Sequence, residues 1–564
     1  MSTDLLGLIR DSVIGASDVV DGPFGRRRVT YADYTASGRS LTFIEDFIRD
    51  QVLPLYANTH TESSGTGLQT THFREDAREI IRRCVGAGDE HAVIFCGSGS
   101  TGAIDRLVQV MNLRLPADLD DRYGLADRIP LDERPVVFIG PFEHHSNELQ
   151  WRESIADVVV IGEDADGHID LDDLERALVE HADRPKIGSF SAASNVTGIM
   201  TDTAAVASLL HRHGALSFWD YAAAAPYVGV TMGPVDPADP DSYLDAIFLS
   251  PHKMIGGPGT PGVLVARSEL FTNTVPAVPG GGTVAFVNAD HHEYLTDVEH
   301  REEGGTPAIV ESIRAGLVFQ LKEAVGLDVI REQEESFIRR AIESWSTNPN
   351  IEVLGNHDAE RLSIVSFTVR HGDRRLHHNF VVAVLNDLFG IQSRGGCSCA
   401  GPYGWRLLGI DREESEEYYR EVAKGCDGIK PGWIRVNFNY FITNEVFDFI
   451  LEAVHLVANE GWRLLPAYTF EPASGLWRHR DASTGARLSL HDIAFGNDGL
   501  AFPEFRRHEG TDRLGHYLAE ARQLLAATGP SDTAPEALEL SDDFEHLRWF
   551  HLPEELQREL IAGA

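Results

Sequence analysis

Between residues 91 and 266 short apolar runs alternate with helix-like stretches. The runs are 91–96 (HAVIFC), 135–140 (PVVFIG), 157–162 (DVVVIG), 186–191 (KIGSFS), 215–219 (ALSFW), 246–250 (AIFLS) and 262–266 (GVLVA). Helices fit at 101–113, 146–154, 171–182 and 202–213. Such alternation predicts an α/β fold with a mostly parallel, seven-stranded sheet wrapped by helices. In sheets of this kind, ligands sit beyond the carboxyl ends of the strands. The residues that follow the runs are therefore the candidates for chemistry. They are Gly97-Ser98-Gly99-Ser100-Thr101-Gly102, Phe142 to Asn147, Ser194-Asn195, Asp220, and Ser250, His252 and Lys253. Singly, each also reads as a turn residue or a helix cap.

The remainder divides around this region. Residues 1–30 predict a helix and a lead-in that packs on a smaller unit, and 31–310 form the large unit. Within it, helices are expected at 43–57 and 72–86, with a polar loop at 58–72 (NTHTESSGTGLQTTH). Residues 311–464 predict a small α+β domain, led in by a long helix at 308–326. Its strands fall at 363–370, near 390–404 and at 433–441, and its helices at 376–389 and 443–460. Residues 465–564 read as an extension without visible chemistry, and 528–540 as a stretch without fixed structure.

The net charge of −38 argues against a nucleic-acid partner and suits a small-molecule substrate. No run of about 18 apolar residues predicts a membrane span, and the first residues lack a secretory h-region. Five cysteines (84, 96, 397, 399, 426) predict reduced thiols and a cytoplasmic protein. Cys397 and Cys399 lack partners for a metal site, and none is expected.

Lys253 stands out by scarcity. The chain holds five lysines (186, 253, 322, 424, 430) against 44 arginines. A lysine kept between two apolar runs suggests chemistry that arginine cannot perform, since only a primary amine can lose its proton and form an imine. The bland alternative is a strand-end lysine facing water. An imine-forming lysine, a small-residue phosphate cradle and a strand-end aspartate together point to pyridoxal 5′-phosphate. Lys253 would carry the Schiff base and Asp220 would pair with the pyridinium nitrogen. His144 would stack on the ring and take part in proton transfer. Ser100, Thr101, Ser250 and His252 would take the phosphate.

Six motifs carry a resemblance: S-P-H-K (250–253), E-H-H-S-N (143–147), S-N-V-T-G (194–198), S-G-S-T (98–101), G-G-T-P (304–307) and R-G-G-C-S-C-A-G-P (394–402). Over roughly residues 29–460 the chain resembles the class V aminotransferase superfamily of fold type I pyridoxal-phosphate enzymes. Within that superfamily it is similar to the cysteine desulfurase and selenocysteine lyase group. The resemblance implies the same roles for Lys253, Asp220 and His144. It places Asn195 near the ring oxygen or the substrate carboxylate and Arg435 on that carboxylate. Arg394 would line the substrate site and favour a thiolate. Thr306 would reach the phosphate in a neighbouring subunit, implying a homodimer with shared sites. Cys399 would take sulfur from L-cysteine or selenium from selenocysteine, leaving alanine, with a sulfur-acceptor protein downstream. Cys399 equally fits a small residue in a tight loop, and Cys397 is expected to take no part.

One departure stands out. Desulfurases usually carry Gln three residues after the ring-nitrogen aspartate, and here Ala223 holds that position. The G-C-S-C spelling is also similar to molybdenum-cofactor sulfurases. A class V aminotransferase, epimerase or C–S lyase acting on another amino acid, and a non-catalytic protein on the same fold, fit the same motifs.

Overall fold

The computed structural model describes residues 2–59, 62–482, 488–497, 499–504, 506–530 and 538–563. All seven apolar runs are strands of one sheet: β1 (His91–Cys96), β2 (Val136–Ile139), β3 (Asp157–Val160), β4 (Lys186–Ser191), β5 (Leu216–Asp220), β6 (Ala246–Leu249) and β7 (Gly262–Arg267). Their order is β1-β7-β6-β5-β4-β2-β3. Strands β2 to β6 pair in parallel, while β7 runs antiparallel to β1 and β6. Both faces of the sheet are covered. In β6, Ile247 and Leu249 enter one core and Ala246 and Phe248 the other. Burial on both faces explains why these strands read as continuous apolar runs rather than alternating ones.

Three local expectations need correction. Over 43–57 the α-helix covers only Thr42–Phe47 and gives way to wider and then tighter turns, Ile48–Val52 and Leu53–Leu55. Pro54 in the last turn has no N–H to continue the helix. The loop at 58–72 is shorter than expected, because a helix runs from Gly65 to Cys84. The Ser64 side chain accepts from Gly67 N at 3.2 Å and caps that helix. A further helix, Leu327–Ser346, was not anticipated; it follows Ile309–Val325 across Gly326, whose φ of +90° suits glycine.

A second, antiparallel sheet joins β8 (Ile351–Val353), β9 (Ile364–His371), β11 (Arg394–Gly396) and β12 (Trp433–Asn437) in the order β8-β9-β12-β11. In it β10 (Arg374–Arg375) pairs with β9. Helices His378–Phe389 and Asn444–Glu460 pack on it, and Tyr517, Phe544 and Phe550 of the C-terminal extension belong to the same core. Of the stretch 528–540, residues 531–537 lie outside the described residues. Near the N-terminus, Thr30–Tyr31 pairs in parallel with Ile391–Gln392. That short pairing matters below, because it sets residue 33 beside β11. No helix among the described residues is long and apolar enough to cross a membrane.

Candidate active site

A cavity of about 210 Å³ lies at the carboxyl ends of β1, β4, β5 and β6, and Arg394 and Arg435 of the second sheet close one side. Lys253 enters it from the β6–β7 hairpin, in a tight turn over Pro251–Lys253. Two close approaches make the turn possible. A Cβ on Gly257 would sit 2.0 Å from Pro251 O, and one on Gly38 would sit 1.9 Å from Met254 O. Burial pushes the Lys253 amine down to about 8, against the opposing pull of Asp220. A lysine in this state holds a useful fraction of free amine near neutral pH.

Asp220 ends β5 and is buried. It accepts from Ala222 N at 2.8 Å, and burial raises its carboxyl, with Lys253 opposing. A buried carboxyl lining a cavity fits a ligand that brings a cationic ring nitrogen. The helix Gly99–Val110 begins opposite. Gly99 has φ +55°, and a Cβ there would lie 2.8 Å from Ser250 Oγ and 3.3 Å from His252 Nε2. Ser100 N donates to Ser250 Oγ at 2.8 Å, and Thr101 and Ser146 share a hydroxyl contact of 2.6 Å. A helix start with space that one methyl would fill suits a phosphate. The residues present therefore fit pyridoxal phosphate.

His144 lines the same cavity. Its Nδ1 accepts from Ser146 N at 3.1 Å, so the neutral ring carries its proton on Nε2. Burial, aided by Lys253, pushes the His144 imidazole down to about 3; the same causes bring His252 to about 4. Both rings are neutral in the working range. Beside them, Glu143 ties the ends of β2 and β4 together. It accepts from Ser191 N at 2.9 Å, Ser191 Oγ at 2.6 Å and Asn147 Nδ2 at 2.7 Å.

Cys399 is exposed on the cavity wall. Ser398 and Cys399 have φ of +52° and +57°, two successive non-glycine residues in the left-handed region. Two residues hold them there. His145 donates its backbone N–H to Cys399 O at 2.8 Å, and its Nε2 accepts from Gly401 N at 3.1 Å. Asn195, which also lines the cavity, donates its amide to Ser398 O at 2.8 Å. Its side chain thus serves the cysteine loop. Cys397 is half-buried against the large core and is not among the residues lining the cavity.

Sequence reasoning missed Asp33. Its Oδ1 accepts from Arg435 Nη2 at 2.9 Å and its Oδ2 from Arg394 Nε at 3.2 Å. Arg435 also donates Nη1 to Asn195 O at 3.0 Å. One carboxylate thus fixes both cavity arginines relative to each other. Ala223 lines the cavity and offers no donor. Thr306 stands apart from this cavity; it is exposed and accepts from Asn58 Nδ2 at 3.1 Å. Among the described residues, none of those lining the cavity comes from the C-terminal extension.

A mostly parallel sheet with a lysine, an aspartate and a helix start at its carboxyl edge, closed by arginines of a second sheet, defines a large-plus-small α/β enzyme architecture. The chain belongs to the aminotransferase class V family, whose profile matches residues 30–412. Curated relatives include a probable cysteine desulfurase of Halalkalibacterium halodurans, 28% identical over 388 residues, covering 68% of this chain and 87% of that one. Another, from Staphylococcus epidermidis, is 26% identical and covers 72% and 92%. Among solved structures, the apo cysteine desulfurase of Thermococcus onnurineus has a TM-score of 0.61 at 24% identity, covering 76% of this chain and 94% of that one. A cysteine desulfurase of Escherichia coli has 0.58 at 20%, covering 80% and 97%. These two structures share the fold.

Proposed function

We propose that the chain is a pyridoxal-phosphate-dependent cysteine desulfurase acting on L-cysteine or selenocysteine. The observation that carries this reading is that a lysine, a buried aspartate and an exposed cysteine line one cavity. Lys253 would hold the cofactor, Asp220 its ring nitrogen, His144 its ring face, and Ser100, Thr101, Ser250 and His252 its phosphate. When bound, the cofactor supplies an electron sink for the substrate Cα once its proton is removed.

The protein's own groups do the rest. Arg435 and Arg394, fixed by Asp33, receive the substrate carboxylate. Lys253, with its amine brought to about 8, accepts the α-proton and returns it. The Cys399 sulfur attacks the substrate sulfur: an S–S bond forms, the substrate Cβ–S bond breaks, and Cβ takes a proton. Enzyme thiol and cysteine thus become enzyme persulfide and alanine, with no outside oxidant. A dithiol or an acceptor protein then removes the sulfur, restoring the thiol. Neutral His144 carries a proton on Nε2 and can deliver it within the cavity.

The exposed position of Thr306, outside its own cavity, supports the reading that it serves the phosphate of a partner subunit in a homodimer. We place the protein in the cytoplasm, where such thiols stay reduced. The test supplies L-cysteine and dithiothreitol to the cofactor-loaded protein and measures alanine and sulfide, expected in equal amounts. Full turnover in Cys399→Ala would remove the persulfide step. Pyruvate and ammonia in place of alanine would make the chain a C–S lyase.

A further inference from the structure

A separate cavity of about 410 Å³ shares no lining residue with the first. Its walls come from the helix Ser2–Ser12, from residues 28–39, from Phe441–Val446 and from Glu509–Thr511 of the C-terminal extension. Most of these residues, including Arg10, Arg28, Phe441 and Glu509, lie outside the segment matched by the family profile.

Its charge is unusual. In a chain with 87 acidic and 49 basic residues, many arginines pair with a carboxylate. Arg78 meets Glu303, and Arg548 meets Glu545 and Glu555. The exposed Arg10 and the half-buried Arg28 and Arg39 all line this cavity, and none has a described carboxylate oxygen within 4.0 Å, Glu445 acting on Arg28 only from farther away. Their polar partners are backbone carbonyls. Arg10 Nε donates to Phe441 O at 2.9 Å, Arg39 Nη2 to Ile14 O at 2.6 Å, and Arg28 Nη1 to Val29 O at 3.5 Å. Arg28 Nε is buried without any acceptor. Two acidic side chains share the walls, Asp11 and Glu509. Glu509 is already engaged, by the Tyr517 hydroxyl and by Arg513 at 3.7 Å. Tyr31, Tyr34 and Phe441 form an edge-to-face aromatic wall beside the guanidinium groups.

Converging guanidinium groups with unused donors are a receptor for clustered oxyanions. We propose that this cavity binds a small multivalent anion bearing two or more phosphoryl or carboxylate groups. The ligand would sit against Tyr31, on which Arg39 stacks at 5.1 Å. The Tyr31 hydroxyl donates to Asp33 O at 3.2 Å, and its strand pairs with Ile391–Gln392, two residues before Arg394. An anion held here braces the segment that carries Asp33 into the active site.

The test uses the full chain loaded with pyridoxal phosphate, so that the phosphate cradle is filled. Pyrophosphate and citrate are titrated by calorimetry at constant ionic strength, against a sodium chloride blank. At least one should bind saturably at one site per chain. A preference for pyrophosphate assigns phosphoryl ligands, and one for citrate assigns polycarboxylates. Arg28→Gln and the surface variant Arg10→Gln should each weaken binding about tenfold or more, the effect of one lost charge-assisted hydrogen bond. Arg435→Gln, in the other cavity, should leave it unchanged. The proposal fails if neither probe exceeds the blank. It fails equally if Arg10→Gln and Arg28→Gln leave the affinity intact, or if Arg435→Gln abolishes binding. Because Arg10 is exposed, its variant remains informative should Arg28→Gln unfold.

Discussion

Replacing Asp33 with Asn tests how the active site recognises a carboxylate. In the structure Asp33 accepts one hydrogen bond from each of two guanidinium groups, at 2.9 and 3.2 Å. Arg435 is 3% exposed, so its orientation depends on protein partners rather than water. An Asn amide keeps one acceptor oxygen but turns its NH₂ toward a donor, so one of the two bonds is lost. A hydrogen bond to a charged group is worth about 1.5–3 kcal/mol. Since about 1.4 kcal/mol is tenfold, affinity for an α-amino acid should fall about 10- to 100-fold. The assay follows the visible band of the cofactor-loaded protein during titration with L-alanine, and separately with ethylamine, which lacks the carboxylate. The loss should be confined to L-alanine. Equal losses for both ligands would mean a general disturbance of the cavity. Tighter binding of L-alanine would mean that Asp33 competes with the substrate carboxylate. Neither outcome depends on turnover, so the result stands whether or not cysteine is the substrate.

Other outcomes follow from the same geometry. Lys253→Ala should lose the visible band of the lysine-bound cofactor; in the wild type, the rate at which that band appears should rise with pH through about 8, because only the deprotonated amine reacts. His145→Ala should keep the cofactor band but slow persulfide formation on Cys399 about tenfold, by loss of the hydrogen bond from Gly401 N, and His145→Gln should restore part of it. Glu303 is buried against Arg74 and Arg78 and accepts from Phe95 N at 2.7 Å; opposed by burial, the two arginines still bring its carboxyl down to about 2. Its folded value lies below the ordinary 4.5, so its contribution is present above pH 4.5 and fades as pH falls toward 2. Urea unfolding should show Glu303→Gln destabilised by about 3 kcal/mol at pH 7, with the gap to wild type closing on acidification.

How much of this was legible in the sequence depends on whether a residue acts through its place along the chain or through a contact across it. The seven strands were readable because burial on both faces leaves uninterrupted apolar runs, as in HAVIFC and GVLVA. The strand-end rule then located Lys253, Asp220, His144 and the Gly99 helix start, since a parallel sheet delivers whatever follows its strands to one edge. Nothing comparable marks Asp33. In YADYTASG it reads as a turn former. It becomes a partner of Arg394, 361 residues away, only through the two-residue pairing of Thr30–Tyr31 with Ile391–Gln392. His145 was equally opaque, for the motif presents two adjacent histidines and only packing decides which one lines the cavity and which one holds the cysteine loop. Asn195 shows the same limit from the other side: its place at a strand end was readable, but not that its amide turns to Ser398 O. Side chains that meet a ligand are constrained by the ligand's chemistry and so recur as recognisable types. Those that hold another loop in place need only a donor or an acceptor at the right point in space, which many residue types supply. For that reason the geometry around Cys399 and Arg435 had to come from the folded chain.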